Sequence, residues 1–238
     1  MSLSGIAWAL TLYQAVGSPI GAAMPDIGWS IAHLGLFMMV WTVMMAAMML
    51  PPAMPMILIF AAAQARRSPQ VTVPIWVFIA GYLLVWGISG LLVYGIIQAT
   101  GVSVNRHPSG DRVSWARFVL PTILIFAGSY QFTPLKDVCL RHCRSPFAFV
   151  KQHWRDGSVG ALEMGVRHGL YCLGCCWALF AVLVAAGMMN VIWMVLLSVV
   201  IFAEKVLPYG TQTSAVVGLA LNVLGALIAA SFLQPLAA

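Results

Sequence analysis

The sequence predicts an all-α fold, a polytopic transmembrane helix bundle of six to seven spans. Three observations carry this reading. Only 8% of the 238 residues are charged while 62% are hydrophobic, against about 25% charged in an ordinary soluble domain. The mean hydropathy is +0.95. Uncharged stretches of about 20 residues, the length that crosses the hydrocarbon core of a bilayer, recur along the whole chain. One soluble core of this size cannot hide so much apolar surface behind so few charges. A soluble enzyme, a disordered chain and a secreted disulfide scaffold are therefore excluded. The net charge of +6 does not indicate nucleic acid, because the basic residues fall where a membrane protein places them.

The expected spans lie near 3–24, 31–50, 73–98, 118–133, 169–189, 191–207 and 216–233. The first is the weakest, since Gly17, Ser18 and Pro19 interrupt it, and without a preceding Lys or Arg it is a poor signal peptide. The second ends at Pro51-Pro52, which remove backbone donors and are expected to kink or break the helix. No repeat is visible, so residues 1–238 read as a single transmembrane domain. The longest polar segment is 134–158.

Orientation follows the basic residues. With seven alternating spans, Arg66, Arg67, Lys136, Arg141, Arg144, Lys151, Arg155, Arg167 and Lys205 share one side, and only Arg106, Arg112 and Arg117 the other. The majority side is expected to be the cytoplasm of a bacterial inner membrane, with 134–158 a cytoplasmic segment. Asp26, His107 and Asp111 then read as ordinary loop residues on the outer side. Within the cytoplasmic segment Thr133-Pro134 reads as the cap and first residue of a short helix running to about Cys143. Ser145-Pro146 ends that helix and begins another. In this second helix Phe147, Val150 and Trp154 are expected to share an interfacial face opposite Lys151 and Arg155. Asp156-Gly157 reads as a turn, with Ser158 capping the next span.

The chemistry-bearing residues are clustered. Cys139, His142 and Cys143 stand at i, i+3 and i+4, which brings two thiols and an imidazole onto one helical turn. His168, Cys172, Cys175 and Cys176 form a second stripe at i, i+4, i+7 and i+8, extended by Met164. Beside it Ala161, Gly165 and Gly169 make a small-xxx-small line that admits another helix backbone. Thiols and imidazoles on a membrane helix are costly without partners, so a metal or redox role is the reading favoured over buried filler. An odd count of five cysteines excludes a complete set of pairwise disulfides. A third feature is the methionine run, in which Met44 and Met48 are one turn apart and are candidate thioether ligands; core packing is the competing reading. Glu204 is expected to pair with Lys205 or another basic residue, or else to face the thiols. Tyr130-Gln131 is a weaker polar candidate.

Thiolates and thioethers are soft ligands that select Cu(I), Zn or iron–sulfur clusters. Surplus sulfur ligands beside a Met-rich helix favour copper, captured and handed over, with zinc as the alternative. No Cys-x-x-Cys-His, Walker loop, Gly-x-Ser-x-Gly or His-Glu-x-x-His is present. Trp41-x2-Met44-Met45-Ala46-Ala47-Met48-Met49-Leu50-Pro51, Tyr130-Gln131-x2-Pro134-Leu135-Lys136-x2-Cys139-Leu140-x2-Cys143-Arg144-x-Pro146, Gly169-x2-Cys172-Leu173-Gly174-Cys175-Cys176-Trp177 and Glu204-Lys205 together make the chain resemble a bacterial family of predicted metal-binding integral membrane proteins of unknown function. The resemblance implies a polytopic membrane protein that binds metal, and carries over no reaction.

Three functions follow as expectations. The first is a copper-handling membrane protein that supplies or holds Cu(I) for a partner cuproprotein or membrane enzyme. The second is a subunit of a membrane-bound oxidoreductase complex with a redox-active metal site. The third is a metal-free thiol–disulfide carrier built on Cys172 and Cys175, which the reducing cytoplasmic side disfavours.

Overall fold

The structure, a computed structural model, describes residues 2–17, 30–67, 75–100, 112–186 and 190–233. Asp26, His107 and Asp111 lie outside the described residues, as does most of the outer loop expected around them. Among the described residues the chain is helical with no strand. The helices are α1 (Ser2–Gly17), α2 (Ile31–Arg67), α3 (Ile75–Thr100), α4 (Arg112–Tyr130), α5 (Pro134–Arg144), α6 (Pro146–His153), α7 (Gly157–Ala186), α8 (Val191–Val206) and α9 (Gly210–Leu233).

Among the described residues four helices are long and apolar enough to cross a membrane, by length and composition: Ile31–Arg66, Ile75–Ala99, Gly157–Ala186 and Gly210–Phe232. That is fewer than the six or seven predicted. The shortfall is one of length. Both α1 and α8 have 16 residues, about 24 Å at 1.5 Å per residue, against a hydrocarbon core of about 30 Å. Among the described residues, shorter apolar stretches lie at Leu3–Tyr13 in α1 and Val119–Tyr130 in α4.

The largest departure from expectation is the length of α2, which does not end at Pro51-Pro52 but runs to Arg67 with Pro51, Pro52 and Pro55 inside it. Pro51 has no N–H for the carbonyl of Ala47 four residues earlier. Ser4 of α1 fills that gap, its Oγ donating to the Ala47 carbonyl at 3.3 Å. A neighbouring helix thus supplies one of the lost donors, which is how proline is tolerated inside membrane helices. Helix α7 also begins earlier than the predicted span at 169, taking in Glu163 and Arg167, which pair one turn apart at 2.9 Å.

Helix α7 is the hub. Its most extensive contact is with α3, and α5, α4 and α8 also pack on it. The small-residue line explains the α3 contact. A Cβ on Gly165 would stand 2.1 Å from the Phe78 carbonyl oxygen, and one on Gly81 would stand 2.4 Å from that of Leu162. The two backbones cross in near contact, as the Ala161-Gly165-Gly169 pattern predicts.

The connecting segment folds largely as its sequence predicts. Thr133 Oγ1 caps α5 by accepting from the Lys136 amide at 3.4 Å, and Pro146 opens α6. Two details differ. In α6 the buried residues are Phe149 and Val150, while Phe147 is 76% exposed, because Phe149 packs edge-on against His168 at 5.7 Å. Helix α7 starts at Gly157 rather than after Ser158; Gly157 has φ of +81°, a left-handed turn that only glycine makes without penalty. Arg144 at the end of α5 donates to the carbonyls of Leu207 and Pro208 at 2.7 and 2.8 Å, satisfying the C-terminal end of α8.

Candidate metal centre

The inward face of α5 carries Lys136, Cys139, Leu140 and Cys143, spaced as one helical stripe. It lies along the α7 segment that carries Cys172, Cys175 and Cys176, all of them buried, with α8 closing the third side. The thiols accordingly meet. Cys143 Sγ is 3.9 Å from Cys175 Sγ, and Cys175 Sγ is 3.3 Å from Cys176 Sγ. Cys172 Sγ lies 3.9 Å from the thioether sulfur of Met49 on α2. Cys139 is held against Gly174, where an added Cβ would stand 2.7 Å from its Sγ, so the glycine admits the sulfur. Burial raises the Cys139 thiol above the ordinary thiol value.

Two metal bonds of about 2.3 Å leave their sulfurs about 3.8 Å apart across a tetrahedral angle and about 4.6 Å apart when collinear. The Cys143–Cys175 and Cys172–Met49 separations fall in that window. All five cysteines are free thiols.

Two polar groups that the sequence alone does not single out complete the site. Lys205 of α8 donates from Nζ to Cys172 Sγ at 2.8 Å. Tyr82 of α3 places its hydroxyl 2.9 Å from the same sulfur and donates to the Met49 carbonyl at 3.3 Å. Both side chains are buried. Next to Lys205, Glu204 does not face the thiols. It accepts from Lys136 Nζ at 2.9 and 2.8 Å, and each side chain is 1% exposed. Lys136 also donates to Gln131 Oε1, which accepts from Ser214 Oγ at 2.9 Å. The expected pairing of Glu204 with a basic residue therefore holds, through Lys136.

Both histidines lie outside the thiol group. His142 falls at the margin of the inward face of α5. Its ring stacks on Tyr171 with centroids 4.2 Å apart, and its Nδ1 is 2.8 Å from the Val138 carbonyl. His168 is wrapped by aromatic rings, with Tyr82 at 5.5 Å, Phe78 at 6.1 Å and Phe149 at 5.7 Å. Met44 and Met48 are buried core residues, and the thioether beside the thiols is that of Met49. Among the described residues no group of three or more His, Cys, Asp or Glu side chains is disposed to hold a metal ion. The sulfurs of Cys143, Cys175 and Cys176 follow one another in a run rather than surrounding one point.

Residues 38–228 match the family PpoB2, copper chaperone. The chain belongs to this copper chaperone family. The match contains every cysteine, Lys205, Tyr82 and all but the first turn or two of α2, so the whole sulfur group lies inside it. No curated protein and no solved structure matches the chain. The match agrees with the metal-binding part of the resemblance and gives the metal as copper. A copper chaperone implies a protein partner, since its cargo must be received by another molecule.

Proposed function

We propose that the protein is a membrane-embedded Cu(I) carrier that binds its cargo through Cys143, Cys172, Cys175 and Cys176 and releases it to a partner cuproprotein. One observation carries the reading: thiols from two helices, separated by about thirty residues of sequence, meet at metal-compatible spacings next to a thioether. Soft sulfur donors in pairs suit low-coordinate Cu(I) better than tetrahedral Zn(II), which takes four ligands in a structural site. Cys143 is half-buried while Cys172, Cys175 and Cys176 are covered, so Cys143 is the thiol through which cargo enters and leaves. Met49 lies at the inner end of the group, on the Met-rich helix. The site faces the cytoplasm of a bacterial inner membrane, in keeping with the basic residues gathered on that side. Cys139, His142, His168, Met44 and Met48 are supporting residues in this scheme.

The test is metal analysis of the protein purified in detergent under reducing conditions, loaded with Cu(I) and desalted. Near-stoichiometric copper is expected, and it is lost when Cys172 and Cys175 are replaced by Ser. Protein that retains no copper, or only zinc that does not exchange, overturns the proposal.

A further inference from the structure

The thiol group contains a buried cation that a simple sulfur clamp does not need. Lys205 Nζ donates to Cys172 Sγ at 2.8 Å and is 7% exposed. The neighbouring carboxylate, Glu204, is already matched by Lys136. Among the described residues no carboxylate lies within salt-bridge distance of Lys205. Its other polar surroundings include Tyr82, whose hydroxyl meets the same sulfur, the thiols of Cys143, Cys175 and Cys176, His168 and Glu204, whose own partner is Lys136. Its charge is thus directed at sulfur.

We infer that Lys205 matches the charge of the loaded site and makes it select a monovalent ion, Cu(I), over a divalent one. This rests on the Cu(I) carrier reading given above. Cu(I) held by the Cys143 and Cys175 thiolates, the two-thiol pair at metal-compatible spacing, carries one negative charge overall, which the Lys205 ammonium beside the group cancels. Zn(II) held by the same two thiolates is neutral, and the ammonium beside it is left as an uncompensated buried charge. Such a charge is costly in a site away from water. A third thiolate would restore neutrality around zinc, but no three-ligand group is formed among the described residues. The lysine penalises zinc without touching it. It distinguishes two ions of similar preference for sulfur by charge, where ligand softness does not.

The experiment compares the full-length wild-type protein in detergent with Lys205→Met and Lys205→Gln, which remove the charge, and Lys205→Arg, which keeps it. Cu(I) and Zn(II) affinities are read separately by competition with a chromophoric chelator for each metal. An opposite charge a few ångströms away moves a protonation equilibrium by one to three decades. Cu(I) binding is therefore expected to weaken roughly 10- to 1,000-fold in both neutral variants. Zn(II) binding is expected to hold or tighten, and Lys205→Arg is expected to keep the wild-type order. Parallel weakening of both metals in the neutral variants makes Lys205 a structural residue and overturns the inference, as does unchanged Cu(I) affinity. Wild-type protein that binds no Cu(I) overturns the carrier reading instead, a result distinguishable from either of these.

Discussion

Replacing Lys136 by Met removes one half of an ion pair whose two side chains are each 1% exposed. Water cannot reach the Glu204 carboxylate to replace the ammonium. Its two oxygens lose donors at 2.9 and 2.8 Å. Deleting one partner of a buried pair costs about 3–5 kcal/mol, because the other charge is left uncompensated. At about 2–4 °C per kcal/mol for a chain of this size, the midpoint of thermal unfolding should fall by about 6–20 °C. The second arm is Lys136→Met combined with Glu204→Leu. Removing both charges for apolar groups of similar volume is often neutral or stabilising, so the double variant should recover most of the loss. The assay is thermal unfolding in one detergent at one scan rate, with wild type, both single variants and the double variant side by side. A Lys136→Met midpoint within about 2 °C of wild type would refute the argument, as would a double variant no better than the single one.

Further outcomes follow from the same geometry. Gly165→Ala places a Cβ 2.1 Å from the Phe78 carbonyl oxygen and should destabilise by about 1–3 kcal/mol; Gly87→Ala on α3, with nothing within 4 Å, should leave the unfolding midpoint near wild type. Tyr82→Phe removes the hydroxyl at 2.9 Å from Cys172 and should weaken Cu(I) retention by roughly fivefold in chelator competition, the worth of about one hydrogen bond. Alkylation followed by mass spectrometry should label Cys143 first, and prior loading with Cu(I) should protect it. Cys139 should label slowly at neutral pH and faster as pH rises past the ordinary thiol value, because burial holds its thiol protonated and the thiolate is the reacting form.

Local signals with a fixed chemical meaning were legible. Thr133-Pro134 marks the start of α5, Ser145-Pro146 the boundary between α5 and α6, and Ala161-Gly165-Gly169 the crossing with α3, because each acts through its own backbone or its own lack of side chain. The convergence of the two cysteine motifs was foreseeable as a possibility, since each stripe is half of a pair. The partners across helices were not. Lys205 reads in sequence as one more basic residue at the end of a span, and only the placement of α8 against α7 turns it toward Cys172 rather than toward Glu204 beside it. Tyr82 sits next to Gly81, so the close α3–α7 crossing is what delivers its hydroxyl to the same sulfur. The prolines did not end α2 for a related reason. Their effect depends on whether another chain segment replaces the lost donor, and Ser4 lies more than forty residues away. His142 stands a fraction of a helical turn away from the inward face of α5, its ring on Tyr171, which spacing alone does not resolve.

The adjacency of Cys175 and Cys176 bears on how the protein survives oxidants. Their sulfurs are 3.3 Å apart. Yet neighbouring residues have Cα atoms about 3.8 Å apart, below the roughly 4.4–6.8 Å that a disulfide ordinarily spans. Two thiols set side by side on one rigid helix therefore resist closing on each other. Their lone pairs stay available to a soft ion while the one bond that would consume both of them is geometrically disfavoured.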